Sequence, residues 1–121
     1  VTDREGPIQR AAITYLRRVL PDAIVHHSAN ELNMRGPDAA RIIAKAKAAG
    51  MLPGFPDILI FVDGQGYCIE VKAEGGSLSA PQKAVRDILQ KQGIPHAVCR
   101  SVDDVRACLS EWGVKTIEAV K

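Results

Sequence analysis

The stretch PDILIFVDGQGYCIEVKAE, Pro56 to Glu74, constrains this chain more than any other, because it reads as a β-hairpin that carries ionisable groups where strands are to be buried. Asp63-Gly64-Gln65-Gly66 has the content of a tight turn, and Ile58 to Val62 and Tyr67 to Val71 are rich in β-branched and aromatic residues. Pairing Asp63 with Gly66 and Val62 with Tyr67 sets Asp57 opposite Lys72 and Leu59 opposite Glu70. Strand alternation then assigns the faces. Ile58, Ile60, Val62, Tyr67, Ile69 and Val71 share one face without a polar interruption. The other gathers Asp57, Glu70 and Lys72 at its open end, with Leu59, Phe61 and Cys68 beside them. A one-residue slip would bury Asp57 among the aliphatics, so the apolar pattern that fixes the register also assembles the polar cluster.

Two carboxylates held a few ångströms apart both ionise cheaply only with a cation between them. Carboxylate oxygens and a backbone carbonyl, here that of Val71, suit Mg²⁺ or Mn²⁺, and no Cys or His within Glu70-Val71-Lys72 favours zinc. Lys72, on the same face as Glu70, is placed to orient or deprotonate an attacking water or to neutralise charge on a phosphate. The bland alternative is an Asp57–Lys72 cross-strand ion pair with Glu70 solvated.

The remaining chain alternates helices and strands around the hairpin. Thr2 or Asp3 caps a first helix through Leu20, with Ile8, Ala11, Ala12, Tyr15, Leu16 and Val19 at helical spacing. Ala23 to Ala29 reads as a strand, and Pro37-Asp38 opens a second helix that runs to Ala49. Ser79 starts a third helix with Gln82 in the capping-box position, His96 to Arg100 is a fourth strand, and Ser101 with Asp104 caps a last helix through Trp112. The order α-β-α-β-β-α-β-α predicts an α/β fold, a mixed sheet flanked by helices, in a single domain over residues 1–121. A chain of 121 residues that is 46% apolar can bury one core. No run is long enough to span a membrane and no signal peptide opens the chain; Cys68, Cys99 and Cys108 lack paired spacing, which predicts buried reduced thiols in a cytoplasmic protein.

Gly54-Phe55-Pro56-Asp57, then Glu70-Val71-Lys72-Ala73-Glu74, then Leu78-Ser79-Ala80-Pro81-Gln82 resembles the PD-(D/E)XK nuclease signature, and within it the virus-type replication-repair nuclease (VRR-Nuc) family. The likeness runs from about Glu5 to Trp112. It implies a restriction-endonuclease-like fold and divalent-metal-dependent cleavage of DNA, with Asp57, Glu70 and the Val71 carbonyl on the metal and Lys72 assisting the water. It further implies that Gln82 reaches the site from the third helix and that Glu5, four residues before Gln9, sends a carboxylate to the metal. Capping is the alternative for Gln82, and the macrodipole for Glu5. The family resemblance also matches Asn30-Glu31 as a substrate contact, against a turn-forming Asn. Small members resemble Holliday-junction resolvases, which implies branched DNA as substrate and a homodimer.

Grip on DNA is expected from local clusters, because the formal net charge is only +2. Arg35, Arg41 and Lys45 form the best phosphate track, since like charges four residues apart on a helix are unfavourable unless a polyanion offsets them. Two Phe, two Tyr and one Trp are too few for a base-stacking platform. His26 and His27 point to opposite faces of their strand and so cannot chelate one ion together. Val114, Ile117 and Val120 recur at helix-like spacing, either as a dimer contact or as a short helix folded back on the chain. The competing functions are a less selective flap or nicking nuclease and a non-catalytic DNA-binding module, the latter disfavoured because carboxylates at a DNA surface repel phosphate.

Overall fold

The structure is a computed structural model and describes residues 3–28 and 36–118. Its elements follow the expected order: α1 (Gly6–Val19), β1 (Ile24–His27), α2 (Ala39–Ala48), β2 (Ile58–Val62), β3 (Gln65–Val71), α3 (Ala80–Lys91), β4 (His96–Cys99) and α4 (Val102–Trp112). The four strands form one sheet in the order β1-β2-β3-β4; β1, β2 and β3 pair antiparallel, and β4 joins β3 in parallel. A parallel neighbour needs a crossover, and α3 supplies it.

The hairpin corrects the expected register. Its turn is the two-residue Asp63-Gly64, with φ of 52° and 77°, so Val62 pairs with Gln65 and Ile58 with Ile69. Positive φ at both centres is the turn whose twist matches the flanking strands, and Asp-Gly is among the sequences that favour it. The turn is therefore centred one residue earlier than the Asp63–Gly66 pairing predicts, which moves every cross-strand partner by two residues. An even shift leaves every side chain on its face but changes its partner: continued by one residue, the pairing sets Asp57 opposite Glu70, not Lys72.

One sheet face carries Val25, Ile58, Ile60, Ile69 and Val71, closed over by Ala12, Tyr15, Leu16 and Val19 of α1 and by Val105, Cys108 and Leu109 of α4. Each fully buried aliphatic here contributes about 1.5–3 kcal/mol. Tyr67, at the edge of this face, stacks on Trp112 with ring centroids 4.9 Å apart. The opposite face bears the polar cluster and meets α3 through Gln82. The three thiols are free and buried, as expected, and burial pushes Cys68 up to about 11.

Cap chemistry sets the helix ends. At α1 the N-cap is Glu5, which makes no side-chain cap, and Asp3, two residues earlier, accepts from the Gly6 amide at 2.9 Å. Ser79 and Gln82 form the reciprocal box at α3. At α4 only half of the expected box exists: Ser101 accepts from the Asp104 amide, while the Asp104 carboxylate accepts from the Arg100 amide at 2.8 Å. The tail departs from the helical expectation. Val114 packs on the core, the Ile117 amide donates to the Val19 carbonyl at 2.9 Å, and Glu118 accepts from the Tyr15 hydroxyl at 2.6 Å. These contacts hold it as a strap across α1 and α4, and Val120 lies outside the described residues.

Candidate active site

Asp57 sits where the chain enters β2, and two of its oxygens are fixed by three neighbours. Its carbonyl accepts from the Ser28 amide at 2.8 Å and from His27 Nδ1 at 3.1 Å, and its Oδ2 accepts from the Val71 amide at 2.7 Å. Its Oδ1 is buried and meets no donor among the described residues. Glu70, directly across the hairpin, is fully buried, and its Oε2 accepts from Gln82 Nε2 at 3.1 Å. Side chains directly opposite on adjacent strands have Cβ atoms about 5 Å apart, so the two carboxylates are neighbours.

Gln82 both caps α3 and reaches the hairpin carboxylate. Its Oε1 accepts from the Ser79 amide at 2.9 Å, and its Nε2 reaches Glu70. The helix cap thus aims the amide at the site. Gly54 explains how α3 comes so close: with φ at 84°, a Cβ there would overlap the Pro81 carbonyl and stand 2.7 Å from the Gln82 nitrogen. The sequence showed this glycine in the motif without the reason for it.

Lys72 follows Glu70 by two residues on the same face and is 9% exposed. Its amide donates to the Cys99 carbonyl at 3.1 Å, and its stem runs past Gly76, where a Cβ would lie 3.7 Å from Lys72 Cδ. Among the described residues no ion pair includes Lys72. The Asp57–Lys72 pair with a solvated Glu70 is therefore overturned, by the two-residue turn that moved the register and by the burial of Glu70. The amide and carbonyl of one strand residue point to the same edge, so the Val71 carbonyl opens toward Asp57, as its amide does.

Other candidates spread more widely. Among the described residues no group of three or more Asp, Glu, His or Cys side chains gathers to hold an ion, so Glu5 does not complete a triad with Asp57 and Glu70. Gln9, one turn along α1, instead contacts the His27 ring at 3.0 Å. His27 Nδ1 also lies 3.1 Å from the Asp57 carbonyl and its Nε2 lies 3.1 Å from Gln9 Nε2, so the ring bridges α1 to the strand end. This second anchor of Asp57 was missed, since nothing in the spacing of Gln9 and His27 brings a helix to a strand end. His26, on the opposite face, and Glu74 are exposed. Arg41 and Lys45 lie exposed on α2, which has no buried residue, and Arg41 pairs with Asp38 at 3.3 Å. Asn30, Glu31 and Arg35 lie outside the described residues.

Comparison with known proteins agrees with this architecture. The family model for the VRR-NUC domain matches residues 4–103. A solved structure described as a VRR_NUC domain protein superposes with a TM-score of 0.69 at 26% identity, covering 93% of this chain and 89% of that one. A second, described as a VRR_NUC domain, gives 0.62 at 18% identity over 92% of this chain and 99% of that one, a likeness of fold. Among curated proteins no match is found. No helix of the described residues is long and apolar enough to cross a membrane.

Proposed function

Because this chain belongs to the VRR-NUC domain family, whose fold is of nuclease type, we propose that it is a divalent-metal-dependent endonuclease that hydrolyses DNA phosphodiesters at the open end of the hairpin. One observation carries this reading: two buried carboxylates face each other, and Asp57 Oδ1 is buried without a donor, an orphaned acceptor that a cation would satisfy. The oxygen-only donor set fits a hard ion. Asp57, Glu70 and the Val71 carbonyl would hold Mg²⁺ or Mn²⁺, with the rest of the shell left to water; Glu5 falls outside the set.

A divalent ion held there supplies positive charge to the phosphate oxygens and makes water more acidic. The chain's own residues do the rest. The Val71 amide and Gln82 each hold one oxygen of a carboxylate, so both acids are oriented before substrate arrives. Lys72 presents an ammonium on the same face, where it orients the attacking water and offsets charge developing on the phosphate. Water attacks phosphorus in line, one P–O ester bond breaks, and a phosphomonoester and an alcohol result.

The finer proposal is that branched DNA, with four-way junctions foremost, is the substrate and that a homodimer is the working unit, with Arg35, Arg41, Lys45 and Asn30 contacting the backbone. A less selective flap or nicking nuclease is the competing reading. Incubation with labelled linear, flapped and four-way DNA, with Mg²⁺ or Mn²⁺ or with chelator, is expected to give cleavage only with metal and fastest on the junction. Absence of cleavage on every substrate, or full activity in Asp57→Ala, refutes the nuclease site.

A further inference from the structure

The parallel ladder between β3 and β4 places a second cation beside Lys72. Cys68 pairs with His96 and Glu70 with Val98, so the same offset continued to the strand ends sets Arg100 beside Lys72 on the face that carries Asp57 and Glu70. Like charges on adjacent strands are unfavourable unless an anion meets them. Arg100 is half-buried, and its Nη1 donates to the Ala73 carbonyl at 2.7 Å. A guanidinium offers five N–H donors, and this bond uses one.

The carbonyl that Arg100 holds begins a tight turn. The Gly76 amide donates back to Ala73 at 3.0 Å, Gly75 takes a φ of 83°, and Arg4 Nη2 pins the Glu74 carbonyl at 3.1 Å from the other side. Lys72 runs beneath this turn. Among the described residues the ion pairs are formed by Arg41, Arg86 and Arg106, and none by Arg100. The nearby Asp104 carboxylate is engaged by the Arg100 amide, not by its guanidinium. A turn pinned through one carbonyl needs only a neutral donor, so the charge on Arg100 is surplus to the turn and stands next to an ammonium.

We propose that Arg100 is a phosphate-binding residue of the active site, gripping the nucleic-acid backbone beside Lys72 through the guanidinium donors that the Ala73 carbonyl leaves over. This rests on the nuclease reading and names a residue that the motif does not contain. Planar forked donors suit a phosphate better than a point charge does, and the anchored stem holds the fork in place before binding.

The test is Arg100→Gln, which keeps a neutral donor for Ala73 and removes the charge. Binding of a short labelled duplex and of a four-way junction is measured by anisotropy over a range of salt, with Ca²⁺ present, for parent and variant. We expect binding about tenfold weaker, the loss of one charge-assisted contact, and a salt slope shallower by about one. The melting temperature and its rise with Mn²⁺ should stay unchanged. Neutralising single phosphates as methylphosphonates should weaken the parent at the contacted position and leave the variant indifferent there. An unchanged slope with the same methylphosphonate profile in both proteins, while the parent still cuts DNA, overturns the role of Arg100 alone. A parent that neither binds nor cuts DNA overturns the nuclease reading and this inference with it.

Discussion

At Asp57 and Glu70 two carboxyl groups are buried against each other, and under the proposed metal site their repulsion opposes folding in the absence of a cation. Glu70→Gln removes one charge at nearly constant volume and leaves an amide oxygen for Gln82 to donate to. The metal-free variant is therefore expected to melt above the metal-free parent, even as cleavage is lost. Mn²⁺ should raise the parent's melting temperature by ligand linkage and leave the variant unmoved. Asp57→Ala should behave differently, because it also strands the Val71 amide, a loss of about 1–3 kcal/mol. Thermal melts with chelator and with Mn²⁺ check both, and equal Mn²⁺ shifts in parent and Glu70→Gln would remove the proposed ligands. The membership of Asp57, Glu70 and Lys72 in one face was legible in the sequence because face depends only on parity. Gln82 was legible as two competing roles, and a single amide with an acceptor end and a donor end lets it cap α3 and touch Glu70 together. The His27 and Gln9 anchor was not legible, since it depends on how α1 lies over the strand ends.

Among the elements, the hairpin shows what spacing can and cannot resolve. Asp63-Gly64 and Gln65-Gly66 both carry turn character, and reading all four as the turn kept the faces while misplacing each cross-strand partner by two. The order of helices and strands was readable because Pro, Gly and capping residues punctuate it, whereas the tail was not: three apolar residues at equal spacing fit a helix, but tertiary contacts from Val19 and Tyr15 hold a strap instead. The placement of α3 rests on Gly54. Gly54→Ala is expected to force a left-handed φ on alanine, a strain of about 1–2 kcal/mol, and to push the Pro81–Gln82 backbone away from Glu70. Turnover should fall about a hundredfold, the scale of a misplacement near 1 Å, with far-UV circular dichroism preserved. Parent-like turnover in this variant would show that Gln82 need not touch Glu70. On α2 the double change Arg41→Ala with Lys45→Ala should flatten the salt dependence of DNA binding and spare turnover at saturating DNA. An unchanged slope would make it an ordinary solvated helix, as its Asp38 pair already permits.

For the molecule as a whole, size and charge set the terms of substrate choice. A net charge of +2 over 121 residues gives weak steering, so affinity for DNA must come from local cationic clusters. One site makes one cut per encounter, whereas resolving a four-way junction needs two nicks placed symmetrically across it, which a two-fold pair provides. Removing the chain beyond Gly113 is a poor probe of that pairing, because it strips Val114 from the core and the Glu118 contacts from Tyr15 and Arg106, and so should lower stability whatever the assembly. Mixing subunits avoids the problem. Parent and Asp57→Asn, which keeps an oxygen for the Val71 amide, are combined at equal concentration and given labelled junction in Mn²⁺. Exchange into mixed pairs should leave junctions nicked on one strand and unresolved, at a fraction that follows the mixing ratio, while light scattering reads twice the mass of one chain. A monomeric mass, or resolution that falls only in proportion to dilution of the parent, would remove the dimer and with it the physical reason for preferring junctions, leaving a nuclease whose selectivity must lie in the site face itself.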